Sequence, residues 1–350
     1  MKKLTQAIIF VALGLGSQQI QAATINKSLC VGSLSKTLYG SSTTGKSVTF
    51  WGYSDCGGGG GGMGGGGMGG GGMGGGAATV PGPIMEIGVN DTLNINFSPM
   101  GMMTMESAPY NGHTIHLHGA DVQTMEDGVP ETNGNMVMGD TYTWTPLAGH
   151  EGSYMYHCHV HTVKHLEMGM YSSIIVRPTD SNGVFLNQLN YDPATAYNYS
   201  QNYILSTVDP TYHTASGDSP VFADYNPNYF LITGKEGRST SAPAMTLAAA
   251  KNTKVAFRLV GLHSTNASFG IKNSSGVLQP FTVYIRDGRA LPVAKTVTGL
   301  DISPGQRADV IATLPSTSGT WYPQVTYKKL RANADGTYPA YSTAYGKVTF

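Results

Sequence analysis

The sequence predicts an all-β protein made of two β-sandwich domains, and three observations lead there. Runs rich in β-branched and aromatic residues recur at 48–52, 92–97, 141–144, 172–176, 254–259, 281–285 and 307–313. Such residues suit a pleated, half-buried surface. Gly, Pro, Asn and Asp punctuate the intervals, as chain reversals require. Amphipathic helical periodicity is scarce, and 244–250 is the one stretch that invites a helical reading. Short strands at this spacing pack as sandwiches, and 350 residues are enough for two domains that each bury a core.

Taken in order, residues 1–23 read as a signal peptide. Lys2 and Lys3 give a positive start, residues 7–15 form a short apolar run, and Gln21-Ala22-Ala23 offers small residues for cleavage. The apolar run is too short to span a bilayer, and no later stretch is apolar enough to do so. The expected location is the periplasm or the cell exterior. Residues 24–178 are read as a first domain, which contains a Gly/Met-rich loop at 57–76. Residues 179–350 are read as a second, which begins after Arg177-Pro178 with a polar, Tyr- and Asn-rich connection running to about Asn226. So much glycine at 57–76 leaves backbone freedom that folding would have to overcome, and the loop is expected to be disordered.

Charged residues make up 12% of the chain and the formal net charge is zero. That balance gives no electrostatic reason to expect nucleic acid or an acidic membrane as partner. Of the three cysteines, Cys30 and Cys56 lie close together in the first domain, where an oxidising compartment permits a disulfide. Cys158 is left over, between two histidines.

Eight of the ten histidines fall between His113 and His165. Residues two apart on a strand share a face. His116 and His118 can therefore approach one metal region, and so can His157 and His159, while Cys158 between the latter pair points the other way. A thiolate, two imidazoles and a distant thioether form the ligand set of a blue-copper electron-transfer centre. Cys158, His165 and Met170 are close enough in sequence to leave one strand on a single loop, with His113 contributed by a neighbouring strand. Zinc also takes His and Cys, but it rarely uses a thioether.

The segments His113-x-x-His116-Leu117-His118-Gly119, His157-Cys158-His159 and Gly169-Met170 resemble the copper signatures of multicopper oxidases. Flanking motifs agree: Pro81-Gly82-Pro83, Asp127-Gly128-Val129-Pro130 and Gly152-Ser153-Tyr154-Met155-Tyr156. The second half is similar to a cupredoxin domain of that family at 230–235, 257–260, Arg286-Asp287-Gly288 and 304–310. The resemblance implies two cupredoxin-like Greek-key sandwiches and copper as cofactor. It implies a type 1 copper held by His113, Cys158 and His165 with Met170 axial. It also matches His116, His118, His157 and His159 to half of a trinuclear oxygen-reducing cluster, fed from the type 1 copper through Cys158.

The pattern departs from the family's in three places. The interval from Cys158 to His165 is longer than usual, which makes His161 an alternative ligand. The second domain offers only His213 and His263 where further His-x-His pairs are needed. His263, in Gly261-Leu262-His263-Ser264, reads as a polar turn residue. The resulting expectation is a copper oxidoreductase that takes electrons from a small-molecule donor or Cu(I). A non-enzymatic copper-binding or electron-transfer protein is the alternative, and a nitrite-reductase-like enzyme ranks below both. Met63, Met68 and Met73, spaced by five in the Gly-rich loop, read either as soft ligands that capture Cu(I) or as incidental to a spacer. Met100, Met102, Met103 and Met105 form a second group that could equally pack in a core. Two-domain relatives assemble as trimers with metal sites between subunits, so the resemblance implies a homo-oligomer.

Overall fold

The computed structural model describes residues 22–56, 77–98, 112–133, 140–213 and 225–350. The Gly/Met-rich loop and Met100–Met105 lie outside them, so the reading of Met63, Met68 and Met73 lies outside the described residues too.

Eight strands come first: β1 (Thr24–Leu38), β2 (Lys46–Asp55), β3 (Met85–Gly88), β4 (Thr92–Ser98), β5 (His116–His118), β6 (Thr141–Trp144), β7 (Gly152–His157) and β8 (Tyr171–Arg177). They make two sheets of order β2-β1-β4-β6 and β3-β8-β7-β5. A core of Leu29, Ile87, Ile95, Leu117, Trp144, Tyr156 and Ile174, drawn from both sheets, fills the space between them. Cys30 and Cys56 form a disulfide across the β1–β2 pair.

Twelve strands follow: β9 (Tyr199–Val208), β10 (Tyr229–Ile232), β11 (Lys235–Glu236), β12 (Met245–Ala248), β13 (Lys254–Gly261), β14 (Asn266–Asn273), β15 (Phe281–Arg286), β16 (Arg289–Val297), β17 (Gly299–Ile302), β18 (Arg307–Thr313), β19 (Thr320–Lys328) and β20 (Ala340–Thr349). Their sheets run β11-β10-β9-β13-β18-β15-β16 and β12-β20-β19-β14-β17. Alternation sets which face goes in. In β15, Phe281, Val283 and Ile285 are buried, and their neighbours Thr282, Tyr284 and Arg286 are half-buried, the period of a strand with one face on the core. The cupredoxin-like all-β architecture is what the resemblance implied.

Two expectations are corrected. The polar connection to Asn226 contains β9, a central strand parallel to β13 and antiparallel to β10. Its Ser, Gln, Asn and Thr residues hide it from a search for apolar runs, yet Gln201, Ser206 and Thr207 are buried. The ladder on both sides satisfies the backbone, and that is what an internal strand needs. The stretch at 244–250 is not a helix; β12 within it pairs in parallel with β20. Ala and Leu favour helices only weakly, and tertiary pairing overrides that preference.

A separate apolar cluster joins the sandwiches, with Phe50, Val80, Met155 and Tyr171 against Ile204, Leu231 and Val260. Every residue of β7 is buried, because one face lies on its own core and the other meets the second sandwich. There Ser153 donates from Oγ to Asp309 Oδ1 at 2.5 Å and from its backbone N–H to Oδ2 at 3.0 Å, and Arg258 pairs with the same carboxylate at 3.4 Å. Among the described residues no helix is long and apolar enough to cross a membrane.

Candidate metal centres

β5 and β7 run antiparallel, with His116 opposite His157, Leu117 opposite Tyr156 and His118 opposite Met155. Opposed residues share a face. Leu117, Tyr156 and Cys158 therefore turn into the first sandwich's core, while the histidines turn towards the second sandwich. One strand end serves two donor groups on its two sides.

On the core side, Cys158 Sγ lies 3.0 Å from His165 Nδ1 and 3.8 Å from His113 Nδ1. The three donor atoms cluster within 4.8 Å, and all three residues are buried. The Thr114 backbone N–H donates to the sulfur at 3.5 Å. Burial alone would raise the Cys158 thiol's pKa. His165 first, and then His113, outweigh it, so the thiol is held well below its ordinary range. His165 sits on a short helix, α2 (Thr162–Met168), which accounts for the long interval after Cys158; α1 is the single turn Pro130–Asn133. His161 caps α2 with left-handed backbone (φ 41°) and is half-buried, its ring centred 6.0 Å from that of His165. Helix α2 thus brings His165 to the sulfur and leaves His161 outside the cluster. Gly169 ends the helix at φ 108°, where a Cβ would lie 2.9 Å from the Trp51 carbonyl oxygen. The chain then returns so that the Cys158 N–H donates to the Met170 carbonyl at 3.1 Å, with Met170 fully buried in the same core.

On the other side, His116, His118 and His157 have donor atoms within 4.8 Å of one another. His118 Nδ1 and His157 Nε2 are 3.2 Å apart. The His116 Nδ1–H donates to the Asp127 carbonyl at 2.7 Å, and the His157 Nδ1–H donates to the Cys158 carbonyl at 3.0 Å. Such bonds fix the tautomer and leave Nε2 as the lone-pair atom. His159 stands beside the group, its ring 5.0 Å from that of His116 and 5.9 Å from that of His157, but outside the tight cluster. Burial pushes the pKa of His157 down to about 3. Burial, then the nearby Arg307 charge, pushes His118 down to about 4. Burial also lowers His116, against the opposing pull of Asp127. All three are neutral at physiological pH, the form that binds metals.

These imidazoles line a cavity of about 330 Å³ whose far wall is the second sandwich, with Leu262, His263 and Pro304. Gly305 comes close there: at φ 81°, a Cβ on it would be 3.4 Å from His118 Cε1. His263 lies in the bend between β13 and β14, as a turn residue would, but it is buried, only 5% exposed. It follows directly on the apolar buried strand β13 and the half-buried Leu262, and that continuity was the available signal. His213 does not join the site. Its Nδ1–H donates to the Thr49 carbonyl at 2.6 Å and its Nε2 lies 3.5 Å from Glu167.

The donor sets fit copper. A thiol whose pKa is lowered beside two imidazoles is the soft, fixed set that Cu(I) and Cu(II) both accept, and neutral imidazoles with oriented Nε2 atoms suit either state. Residues 75–181 match a family model described as multicopper oxidase. The fold is similar to that of a blue copper oxidase from Nitrosomonas europaea, with 19% identity, TM-score 0.61, 93% of this chain and 85% of that one covered. A laccase from Botrytis aclada is also similar, with 18% identity and TM-score 0.61; 94% of this chain and 53% of that one are covered. A copper nitrite reductase from Nitrosomonas europaea gives 16% identity and TM-score 0.58, with 93% and 94% covered. The comparison with curated proteins gives no match. With donors, fold and family match together on one strand end, residues 75–181 are a multicopper oxidase domain in a chain of two cupredoxin-like sandwiches, and the cofactor is copper.

Proposed function

We propose that this chain is an exported copper oxidoreductase with two copper sites per molecule. Cys158, His113 and His165 would hold a type 1 copper, with the Met170 thioether as a further soft donor. His116, His118 and His157 hold a second copper, and His159 stands ready at its margin. The observation that supports this reading best is the bond from His157 Nδ1–H to the Cys158 carbonyl at 3.0 Å. It ties a residue of the second group to the backbone of the thiolate that anchors the first.

Copper supplies one-electron chemistry between Cu(I) and Cu(II) when bound. The chain's own residues do the rest. The buried imidazoles and thiolate fix the coordination geometry so that little rearranges when the charge changes. Cys158 and His157 provide a short covalent and hydrogen-bonded route from one face of the strand to the other. The donor is a small molecule or Cu(I), and Met63, Met68 and Met73 would serve as a soft arm that captures Cu(I). The test is oxygen consumption by copper-loaded protein supplied with Cu(I) or a phenolic donor. Turnover that depends on Cys158 supports the reading; its absence with every donor contradicts it.

One observation favours a second reading, in which the protein carries electrons or sequesters copper without turnover. The second sandwich sets a single histidine, His263, on the cavity wall, where a complete trinuclear cluster needs two His-x-His pairs. A homo-oligomer, a trimer for instance, would be one way to supply further ligands. The likeness to a nitrite reductase makes nitrite the substrate to assay next.

A further inference from the structure

The Cys158 group is closed to solvent. Cys158 and His165 are fully buried, His113 is 1% exposed, and the Nε2 atoms of both imidazoles are buried. A donor in solution cannot touch these side chains directly, so its electron must arrive through a residue that meets both solvent and the imidazoles. Tyr53 and Tyr156, which share the core with Cys158, are fully buried and cannot serve. Trp51 can. It is half-buried, and its ring stands edge-on to that of His165 at 5.3 Å and to that of His113 at 6.3 Å, with 81° and 70° between the planes. Among the described residues it is the half-buried one whose ring meets both imidazoles. His161 is half-buried too, but its ring meets His165 alone, at 6.0 Å. The backbone fixes Trp51 in this place. It lies on β2, an edge strand, opposite Ser33 of β1, and its carbonyl oxygen would be 2.9 Å from a Cβ on Gly169. The loop that carries His165 and Met170 is thereby held close against β2.

We propose that Trp51 is the electron-entry residue of the Cys158 site: a planar aromatic donor docks against its indole, which is in contact with both imidazoles. The inference rests on the proposed type 1 copper and adds to it the residue where the donor stands. In the step, a hydroquinone-type donor loses one electron and its hydroxyl proton passes to solvent. Copper at Cys158, His113 and His165 goes from Cu(II) to Cu(I). The indole ends the step unchanged, having supplied contact with the imidazoles and a face for the donor. Aromatic rings gain from stacked or edge-on pairing beyond the area they bury. A hydrated or ammine metal complex of equal driving force gains nothing of the kind, so the indole selects aromatic donors.

Two readouts test it. Stopped-flow spectroscopy without oxygen follows bleaching of the blue band by hydroquinone and by hexaammineruthenium(II), each at low concentration. Ligand-observed NMR measures binding of 4-nitrophenol, a phenol much harder to oxidise, to the reduced, diamagnetic protein. Trp51→Leu is expected to lower the ratio of the hydroquinone rate to the ruthenium rate about fivefold, and to weaken 4-nitrophenol binding by the same factor, the worth of one aromatic pair. Trp51→Phe, which keeps a ring, should retain most of both. His161→Ala should leave both unchanged. A purely structural role for Trp51 would move the two rates together and leave their ratio as it was. The inference is overturned if Trp51→Leu leaves the ratio and the 4-nitrophenol affinity at wild-type values, or if His161→Ala lowers them instead. If wild-type protein shows no blue band, the type 1 reading falls and this inference falls with it; a blue band with an unchanged ratio sinks the inference alone.

Discussion

His157 donates from Nδ1 to the carbonyl of Cys158 at 3.0 Å, although the two side chains leave the strand in opposite directions. Tyr156 and Cys158 belong to the first sandwich's core, whereas His157 faces the cavity under the second sandwich. Two donor groups with different chemistry are thus adjacent in the chain and separated by one peptide's thickness.

Helix α2 decides which histidine completes the Cys158 group. His165→Ala is expected to abolish the blue absorption of copper-loaded protein, because its Nδ1 is 3.0 Å from the sulfur. His161→Ala should leave that absorption in place. Optical spectra of the two variants check this, and the reverse pattern would make His161 the ligand.

Metal-free protein should lose stability as pH falls below about 6.5. His118 and His157 have folded-state pKa values lowered to about 4 and about 3, against an unfolded value of about 6.5. In that window the unfolded chain binds more protons, so stability rises with pH. The loss begins near the unfolded value and is complete below the folded ones. Thermal midpoints of metal-free protein measured from pH 7 to 4 test it, with His118→Gln/His157→Gln expected to show a shallower decline.

The junction between the sandwiches depends on Asp309, fully buried and shared by Ser153 and Arg258. Asp309→Ala leaves the Arg258 guanidinium, 2% exposed, without its counter-charge. Removing one partner of a buried pair costs about 3–5 kcal/mol. Denaturant unfolding should show a loss of that order, while Asp301→Ala, which removes an exposed partner of Lys328, should cost under about 1 kcal/mol.

Legibility in the sequence followed the physics of each signal. Alternation along 157–159 was enough to separate Cys158 from its neighbours, because a strand's period of two is rigid. The spacing from His165 to Met170 was readable because one loop carries both. His263 was not: its surroundings come from β13 and from the distant Tyr327 and Ile302, which no local pattern announces. β9 was missed for a related reason, since its burial depends on partner strands elsewhere in the chain, β13 and β10, and several of its own side chains are polar. The helix at 162–168 left little trace, being too short for a periodic stripe.

Copper counting tests the central claim most directly. Purified protein loaded with copper and freed of excess is analysed for metal per chain, together with optical and paramagnetic-resonance spectra, for wild type and Cys158→Ser. The account predicts more than one copper per wild-type chain, with one intensely blue signal and one that is not. It predicts that Cys158→Ser removes the blue signal and keeps the other. A single copper per chain, or a variant that loses both signals together while remaining folded, would contradict it.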